Sequence, residues 1–395
     1  MFKGKCWAPR RWLGLACGIA FMLSSAVSAA PAVKEWTFMV FLNGHNNLDS
    51  YSKLDVNEMV AAGKNSQVNV VVQWASSSYG ATRRVVITGK AKPTPAKPGY
   101  TVVEEMPRVD MGDWHNLQAF VEWAAAKYPA KHYLVDVWDH GGGWKFMGDV
   151  KPSPRFSTRG ISYDDFSGHD INTPDLAQAL RGASKTIGQP IDIYSSDACL
   201  MGMAEVADEM TDAVKYFVGS EETEAGDGWN YTTTLGALYA NPAMDGREFA
   251  ADIVTAYLNA YTSSATMAAY DLSKMKAFET AMADLANTIV LAPAADQEQY
   301  RQASTNAMRF AETDNADLVS FLKASPDSSA AQAVMKALSD LMIKAGGVGS
   351  LSSASGMAVW LPTQADALQG YEADYRRLQW ENNTGWSRAL DALVK

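Results

Sequence analysis

The chain has 395 residues, a formal net charge of −10 at neutral pH, and hydrophobic residues at 47% of its positions. The acidic balance argues against nucleic-acid binding, which needs clustered basic residues, and the composition is that of a globular protein. A chain of this length accommodates one large α/β domain with additions, or two domains.

The first thirty residues have the features of a signal peptide. A basic start without acidic residues leads into an apolar run at 13–23, and the small residues of "SSAVSAA" follow. The run is too short to span a membrane, so we expect export and cleavage near Ala29 or Ala30. "GLAC" at Cys17 matches a lipoprotein signal weakly, because the apolar run continues beyond it, and lipid anchoring is not expected. We expect the mature chain to be periplasmic or secreted.

Removal of this leader leaves a single cysteine. Cys6 and Cys17 lie in the leader, and Cys199 is the last of the three cysteines in the sequence. The mature chain therefore forms no internal disulfide, and its formal charge becomes −14 because four positive charges leave. A lone cysteine in an exported protein is either an inert buried residue or a nucleophile, and at this point both interpretations stay open.

Strands and helices alternate along the first part of the chain. Patterns of apolar residues predict strands at 36–42, 68–74, 82–89, 132–138, 190–196 and 215–220, and helices at 48–62, 116–128, from 173 onward and at 201–210. This alternation predicts an α/β fold with a mostly parallel sheet covered by helices on both faces. After Trp229 the chain becomes mostly helical, with one late strand predicted at 356–362. The predicted organisation is a leader (1–30), an α/β domain (31–235) and a mostly helical region (236–395) that completes or flanks it.

Two predicted strands end in residues capable of nucleophilic chemistry. The strand at 132–138 runs into Asp139, His140 and three glycines, and the strand at 190–196 runs into Asp197, Ala198 and Cys199. Sites in parallel sheets form at the carboxyl ends of strands, so neighbouring strands would bring His140 and Cys199 together. Imidazole can accept the thiol proton, and a backbone N–H after His140 could hold an oxyanion together with that of Cys199. The helix predicted at 201–210 would place Cys199 near a helix start, which favours thiolate.

Each of these features also has a simpler explanation. His140 can be a structural hydrogen-bonding residue, and Cys199 can belong to the core. Their conjunction favours a Cys/His hydrolase. A non-catalytic exported protein that binds peptide or glycan on the same scaffold is the alternative, and a transpeptidase or processing enzyme with the same dyad is a third hypothesis.

Five sequence blocks resemble the clostripain family of cysteine peptidases, which have a caspase-like α/β/α fold. They are "WTFMVFLNGHNNLD", "DVWDHGGGW", "ISYDDFSGHDINTPDLAQAL", "IDIYSSDACLMGMAEVADEM" and "VGSEETEAGDGW", and they follow the family order from Trp36 to Trp229. The resemblance implies that 31–235 is a catalytic domain. It also implies that His140 is the catalytic histidine, that Cys199 is the nucleophile, and that the N–H of Gly141 shares the oxyanion hole with Cys199.

The resemblance implies a substrate class as well. Family members commonly cleave polypeptides after Arg or Lys, and Asp197 matches the carboxylate that lines their first specificity pocket. A carboxylate two residues before the nucleophile lies on the same side of an extended strand and can pair with a guanidinium. We expect the acidic segment "SEETEAGDGW" to form another pocket wall through Glu221, Glu222 and Asp227, the alternative being a solvated loop.

Three further expectations come from the family. It suggests self-cleavage between the histidine and cysteine blocks, for which Lys151, Arg155 and Arg159 are the candidate sites. Some members depend on calcium, and because this sequence lacks an EF-hand pattern, calcium is only a candidate and the chemistry itself requires no cofactor. An acid is usual in the family where this chain has His45, so no ion-binding role is carried over to that position.

Overall fold

The computed structural model describes residues 1–8, 32–89, 94, 96–145 and 160–394. The apolar run and the cleavage positions of the predicted leader lie outside these ranges, and so do Lys151, Arg155 and Arg159. Residues 1–8 are exposed and have no helix or strand, and the described residues from 32 onward form a single folded unit. In the described part of the chain, we find no helix that combines the length and the hydropathy needed to cross a bilayer.

The strands and helices alternate in the first half, and helices predominate in the second half. The strands are β1 (Lys34–Gly44), β2 (Val68–Ser76), β3 (Ala81–Ile87), β4 (Tyr100–Met106), β5 (Ala130–Trp138), β6 (Ile161–Asp164), β7 (His169–Ile171), β8 (Ile191–Asp197), β9 (Val214–Gly219), β10 (Ala265–Asp271), β11 (Asn315–Asp317), β12 (Met342–Val348) and β13 (Ala358–Trp360). The helices are α1 (Asp49–Ala61), α2 (Trp114–Lys127), α3 (Thr173–Ile187), α4 (Ala204–Glu209), α5 (Tyr231–Ala240), α6 (Gly246–Ala260), α7 (Met275–Leu291), α8 (Ala294–Asn306), α9 (Leu318–Ala324), α10 (Ser329–Leu341), α11 (Ala365–Tyr375), α12 (Gln379–Thr384) and α13 (Trp386–Leu393).

The central sheet is parallel in its middle and antiparallel at both edges. Its strand order is β12-β10-β9-β8-β5-β1-β2-β3-β4, and the five strands from β9 to β2 pair in parallel. Successive side chains of a strand point to opposite faces, so Phe38 and Val40 of β1 enter one apolar core while Met39 and Phe41 enter the other. Both faces are therefore covered, which explains the uninterrupted apolar runs in the sequence.

Helices cover the two faces of the sheet in separate layers. One core packs the sheet against α1, α5 and α6, and the other packs it against α2, α3, α4 and the helices that follow α6. This layering confirms the predicted α/β fold with a mostly parallel sheet between helices.

The region after residue 236 contributes strands as well as helices. β10 pairs with β9, and β12 pairs with β10, both antiparallel, so this region extends the central sheet. The sequence pattern missed β10 and β12 because they contain several alanine and glycine residues, whose β propensity is low. The predicted late strand exists as β13, but it pairs with β11 in a separate two-stranded sheet.

Candidate active site

His140 and Cys199 follow two neighbouring parallel strands. β5 and β8 pair in register as far as Trp138 and Asp197, and each candidate residue stands two positions beyond its strand's member of that last pair. Parallel strands present their carboxyl ends at the same edge of a sheet. The fold therefore brings the ends that carry His140 and Cys199 together, as the sequence predicted for neighbouring strands.

The glycines after His140 allow the backbone to approach Cys199 closely. A Cβ on Gly141 would overlap the carbonyl oxygen of Cys199 and would lie 3.1 Å from its backbone nitrogen. Gly143 adopts a φ of +74°, which strains other residues. Next in the chain, Trp144 is fully buried, with its ring centroid 4.9 Å from that of Trp360. This close approach brings the backbones of Gly141 and Cys199 together, the arrangement that a pair of oxyanion-binding N–H groups requires.

The imidazole of His140 is held by Asn47, a residue that the sequence analysis did not identify. His140 Nε2 lies 2.7 Å from Asn47 Oδ1. Because an amide oxygen can only accept, Nε2 must carry the proton, which leaves Nδ1 of the neutral ring free to act as a base. Burial lowers the pKa of His140, with a smaller opposing effect of Asp165. The histidine is therefore neutral at neutral pH, as a general base must be.

Asn47 belongs to a β1–α1 loop that is fastened to the His140 segment. The Asp139 carboxylate is almost fully buried and accepts hydrogen bonds from the amides of Asn43, at 2.8 Å, and Asn46, at 2.6 Å. Three adjacent strands, β8, β5 and β1, thus carry Cys199, His140 and Asn47 at their carboxyl ends. The signal available in the sequence was the asparagine pair directly behind a buried strand.

The Cys199 thiol lies against the acidic segment that precedes α5. Its Sγ lies 3.3 Å from the backbone nitrogen of Glu224, which donates to it, and 3.9 Å from the Glu224 carbonyl oxygen. Burial raises the pKa of Cys199 to about 12; the N–H of Glu224 opposes this rise, while the charges of Glu224, Glu222 and Asp197 add to it. In this arrangement the sulfur is therefore a neutral thiol at neutral pH.

The expectation that Cys199 stands at a helix start is wrong. α4 begins at Ala204, and Met203 before it is extended. Leu200 adopts a φ of +63°, and Gly202 donates from its backbone N–H to the carbonyl of Ser220 at 2.7 Å. These backbone constraints tie residues 200–203 to the end of β9, so the helix forms later and its dipole does not act directly on the thiol.

Asp197 is buried in a pair of carboxyl groups that share one tyrosine. Tyr231 Oη lies 2.9 Å from Asp197 Oδ2 and 2.7 Å from Asp136 Oδ2. A hydroxyl has a single proton to donate, so one of these two carboxyl groups must be protonated and donate to the tyrosine. In agreement, burial raises the pKa of Asp136 to about 7 and that of Asp197 well above its ordinary value. Asp197 also accepts from the N–H of Trp229, at 3.2 Å.

The acids of the segment 221–227 have different surroundings. Glu221 is buried and accepts from the N–H of Gly356, Glu222 accepts from the N–H of Ala311 at 3.1 Å, and Asp227 is exposed and lines a cavity. The structure thus brings Asp227 to a pocket wall and places Glu221 beside β13 instead.

Glu224, which the sequence analysis did not single out, has its carboxylate shielded beside Asp197. Burial and the charges of Asp197 and Asp136 raise its pKa well above the ordinary value.

His45, at the position where an acid is usual, is paired with an acid instead. Its Nδ1 lies 2.8 Å from Asp164 Oδ2, and both side chains are buried. The described side chains contain no group of three or more His, Cys, Asp or Glu residues arranged to hold a metal ion. Calcium binding accordingly stays an expectation from the family.

The sequence matches the model of the clostripain family over residues 40–392. Among curated proteins, clostripain of Hathewaya histolytica is 27% identical over 188 residues, which covers 43% of this chain and 35% of clostripain. The matched segment thus spans about a third of the length of that relative.

Two solved structures share the fold across nearly their whole length. One is a secreted C11 cysteine protease from Bacteroides thetaiotaomicron in complex with an irreversible peptide inhibitor, with a TM-score of 0.70, 20% identity, and coverage of 89% of this chain and 99% of that chain. The other is an inactive zymogen C11 protease from Parabacteroides distasonis, with a TM-score of 0.69, 17% identity, and coverage of 90% and 99%. At these identities the structures establish the fold.

We predict that Asn47 is a positioning residue for His140. Asn47→Ala should lower kcat for peptide hydrolysis by about 10- to 100-fold, since the ring loses its orientation, with little change in KM. Asn47→Asp keeps an acceptor oxygen and should retain more activity. Its charge favours imidazolium, so the acidic limb of its pH–rate profile should move to higher pH. Equal losses in both variants, without a shift in the pH profile, would contradict this role.

We predict that Cys199 reacts slowly with iodoacetamide in the intact chain and faster as pH rises. Below a raised pKa, the thiolate fraction and therefore the rate increase about tenfold per pH unit, here from pH 6 to pH 9. Mass spectrometry of the peptide that contains Cys199 gives its rate separately from those of Cys6 and Cys17, with N-acetylcysteine as reference. A rate constant that is already at its plateau at pH 6 would instead indicate a thiolate–imidazolium pair.

Proposed function

Since the chain belongs to the clostripain family, we propose that it is an exported cysteine endopeptidase that hydrolyses peptide bonds after Arg or Lys. The observation that carries this proposal is the pairing of β5 with β8, which places the ends that carry His140 and Cys199 at one edge of the sheet. The backbone of Gly141 packs against Cys199 there, so nucleophile, base and oxyanion donors have a common location. Export is supported by the predicted leader.

The reaction proceeds in two steps. His140 Nδ1 accepts the proton of Cys199, and the sulfur bonds to the substrate carbonyl carbon while the N–H groups of Gly141 and Cys199 hold the oxyanion. The imidazolium then gives its proton to the amine as the C–N bond breaks, which leaves an acyl-enzyme. A water molecule deprotonated by His140 attacks this thioester, the C–S bond breaks as the imidazolium returns its proton to the sulfur, and the carboxylic acid leaves with the thiol restored.

Specificity for a basic residue is supported by the charge around the site. Asp197, Asp136 and Glu224 lie together behind Cys199, and the exposed Asp227 lines a cavity of about 440 Å³ beside them. The described side chains provide no cation partner for these buried carboxyl groups. Such a cluster stabilises a guanidinium or ammonium that reaches it, because ion pairing is strong where water is excluded.

We further propose that the chain is synthesised in a latent form and activated by its own cleavage between residues 145 and 159. Latency is supported by the contact of Glu224 with the Cys199 sulfur and by the raised pKa of that thiol. Lys151, Arg155 and Arg159 in this segment match the proposed specificity. Cleavage would release the constraint on the loops that flank the site, so that Glu224 can move off the sulfur.

We predict that the dyad and Asp197 determine the activity. Fluorogenic peptides that end in Arg, Lys or Asp before the reporter are compared with wild type, Cys199→Ala, His140→Ala and Asp197→Asn, with calcium and with a chelator. Cys199→Ala and His140→Ala should lower kcat by at least about 1,000-fold, and Asp197→Asn should lower kcat/KM for the Arg peptide by about 100-fold. The Asp peptide should not be cleaved.

Two outcomes would contradict the proposal. Activity that survives in Cys199→Ala would exclude this nucleophile. A wild-type chain that stays silent on all peptides, also after limited nicking with trypsin, would favour the non-catalytic binding protein.

We predict self-cleavage of the wild-type chain within 145–159. Incubation should convert it into two fragments whose masses place the cut after Lys151, Arg155 or Arg159, while Cys199→Ala stays intact. Replacement of all three residues by alanine should delay the appearance of peptidase activity, and trypsin should then fail to restore it. An intact mass for an active wild-type enzyme would rule this step out.

A further inference from the structure

An acidic cavity of about 440 Å³ lies between α1 and the segment that connects β9 to α5. Its lining includes three acids, Asp55, Glu58 and Asp227, together with Gly228 and Tyr261, and no lysine, arginine or histidine is among the described lining residues. Asp227 is exposed at the rim, and the carboxylate of Glu58 accepts from the N–H of Tyr231 at 2.8 Å. The cavity thus offers negative charge from several sides to a ligand.

Asp55 differs from the other acids of this cavity because it is both buried and incompletely bonded. Only 2% of it is exposed, and Trp138 is its hydrogen-bonding partner. Its Oδ2 atom is buried and has no hydrogen-bond partner among the described residues. Asp55 lies on the face of α1 whose neighbouring residues, Val56 and Met59, enter the core. A buried carboxyl oxygen without a partner destabilises a fold, so packing gives no reason for an acid here.

The groups behind Asp55 increase the need for a cation. Asp197 contributes the largest charge effect on Asp55, after burial, and raises its pKa further. Tyr261 on the cavity wall donates to the carbonyl of Gly228 at 2.5 Å. Burial raises the pKa of Tyr261, and Asp197, Glu224, Asp227 and Asp55 all act on it in the same direction. The four largest charge effects on this hydroxyl group among the described residues therefore all come from acids.

We propose that Asp55 is a specificity-determining residue, whose carboxylate receives the guanidinium or ammonium group of the substrate's basic residue at the floor of this cavity. Glu58 and Asp227 would supply negative charge from the wall and the rim, and Asp197 would act from behind. Asp197 already accepts from Tyr231 and Trp229 and is not among the residues that line the cavity, whereas Asp55 lines it and has a buried oxygen without a hydrogen-bond partner. The proposal rests on the proposed function and deepens it.

This arrangement couples substrate binding to proton release. With a pKa raised to about 9 by burial, then by Asp197 and Glu58, Asp55 holds a proton at neutral pH in the free enzyme. A bound cation lowers that pKa, so the proton leaves, and binding strengthens as pH rises toward the free-enzyme value. The titratable groups near Asp55 are Glu58 on its own helix and, from the neighbouring elements, Asp136, Asp197, Asp227, Tyr231 and Tyr261.

The test compares Asp55→Asn with wild type on two peptides that differ only in Arg or norleucine before the scissile bond. Norleucine keeps an aliphatic chain without charge, so the ratio of the two kcat/KM values isolates recognition of the cation. Asp55→Asn should reduce this ratio about 100-fold through the Arg peptide alone, because one partner of a shielded charge pair is lost. In wild type the ratio should rise between pH 6 and pH 9, and in Asp55→Asn it should rise less.

Two matched variants serve as controls. Asp208→Asn changes another fully buried acid, on α4, whose pKa is raised to about 8 by burial, and it should leave the Arg-to-norleucine ratio unchanged. Asp227→Asn changes the exposed rim acid and should reduce the ratio by less than tenfold, since solvent screens it. The melting temperature of Asp55→Asn should be no lower than that of wild type, which separates recognition from folding.

The outcomes distinguish this inference from the proposed function. A wild-type enzyme that cleaves the Arg peptide, while Asp55→Asn keeps the same ratio and pH profile, overturns the role of Asp55 and leaves the peptidase intact. A wild-type enzyme that cleaves neither peptide refutes the proposed function itself. Assays are run in EGTA and again with calcium. If calcium raises the melting temperature of wild type but not of Asp55→Asn, and the ratio is unaffected, the cation is a metal and the inference fails.

Discussion

Parallel pairing between β5 and β8 determines where the proposed active site lies in this protein. Because the two strands end in register, the residues that follow them must share a small volume at the sheet edge. That closeness requires a residue without a side chain at Gly141. β1 pairs with the other side of β5, with Leu42 opposite Trp138, so the loop after β1 reaches His140. The contact between Asn47 and His140 follows from this strand order.

Buried acids that have no cation partner among the described side chains impose the second constraint. Asp136, Asp197 and Glu224 lie in an interior where ionisation is unfavourable, and their pKa values are raised by that burial. For an acid with a raised folded-state pKa, the protonated form is stabilised by folding, so its contribution is greatest at low pH and is lost as pH rises through the folded-state value. Protonation of these acids is therefore favoured at the place where the proposed substrate would bring a positive charge. A substrate cation can replace these protons.

The sequence predicted correctly that His140 and Cys199 follow two neighbouring strand ends, since periodicity identifies buried parallel strands and their ends identify a sheet edge. It could not predict the proposed roles of Asn47 in orienting His140, of Glu224 in covering the sulfur, or of Asp55 in recognising the substrate cation. Each of these acts on a residue more than twenty positions away in the chain, and an asparagine in a turn or an acid on a helix usually faces solvent. The helix predicted at 201–210 was placed too early because the backbone of 200–203 bonds to the end of β9, which local propensity does not reveal. β10 and β12 were missed because small residues carry little β signal.

The segment from Glu221 to Gly228 links the sheet edge that carries Cys199 to the buried acids. Its first acids bond to the C-terminal region, at Gly356 and Ala311. Its middle covers the sulfur through Glu224, and its end is held to α6 by Tyr261. The C-terminal region, which supplies neither member of the proposed dyad, therefore holds the segment that covers Cys199 and walls the acidic cavity. The chain beyond Trp229, where the sequence blocks end, therefore takes part in the proposed site: exposure of the thiol and the shape of the cavity depend on one segment, and that segment is anchored from the other half of the molecule.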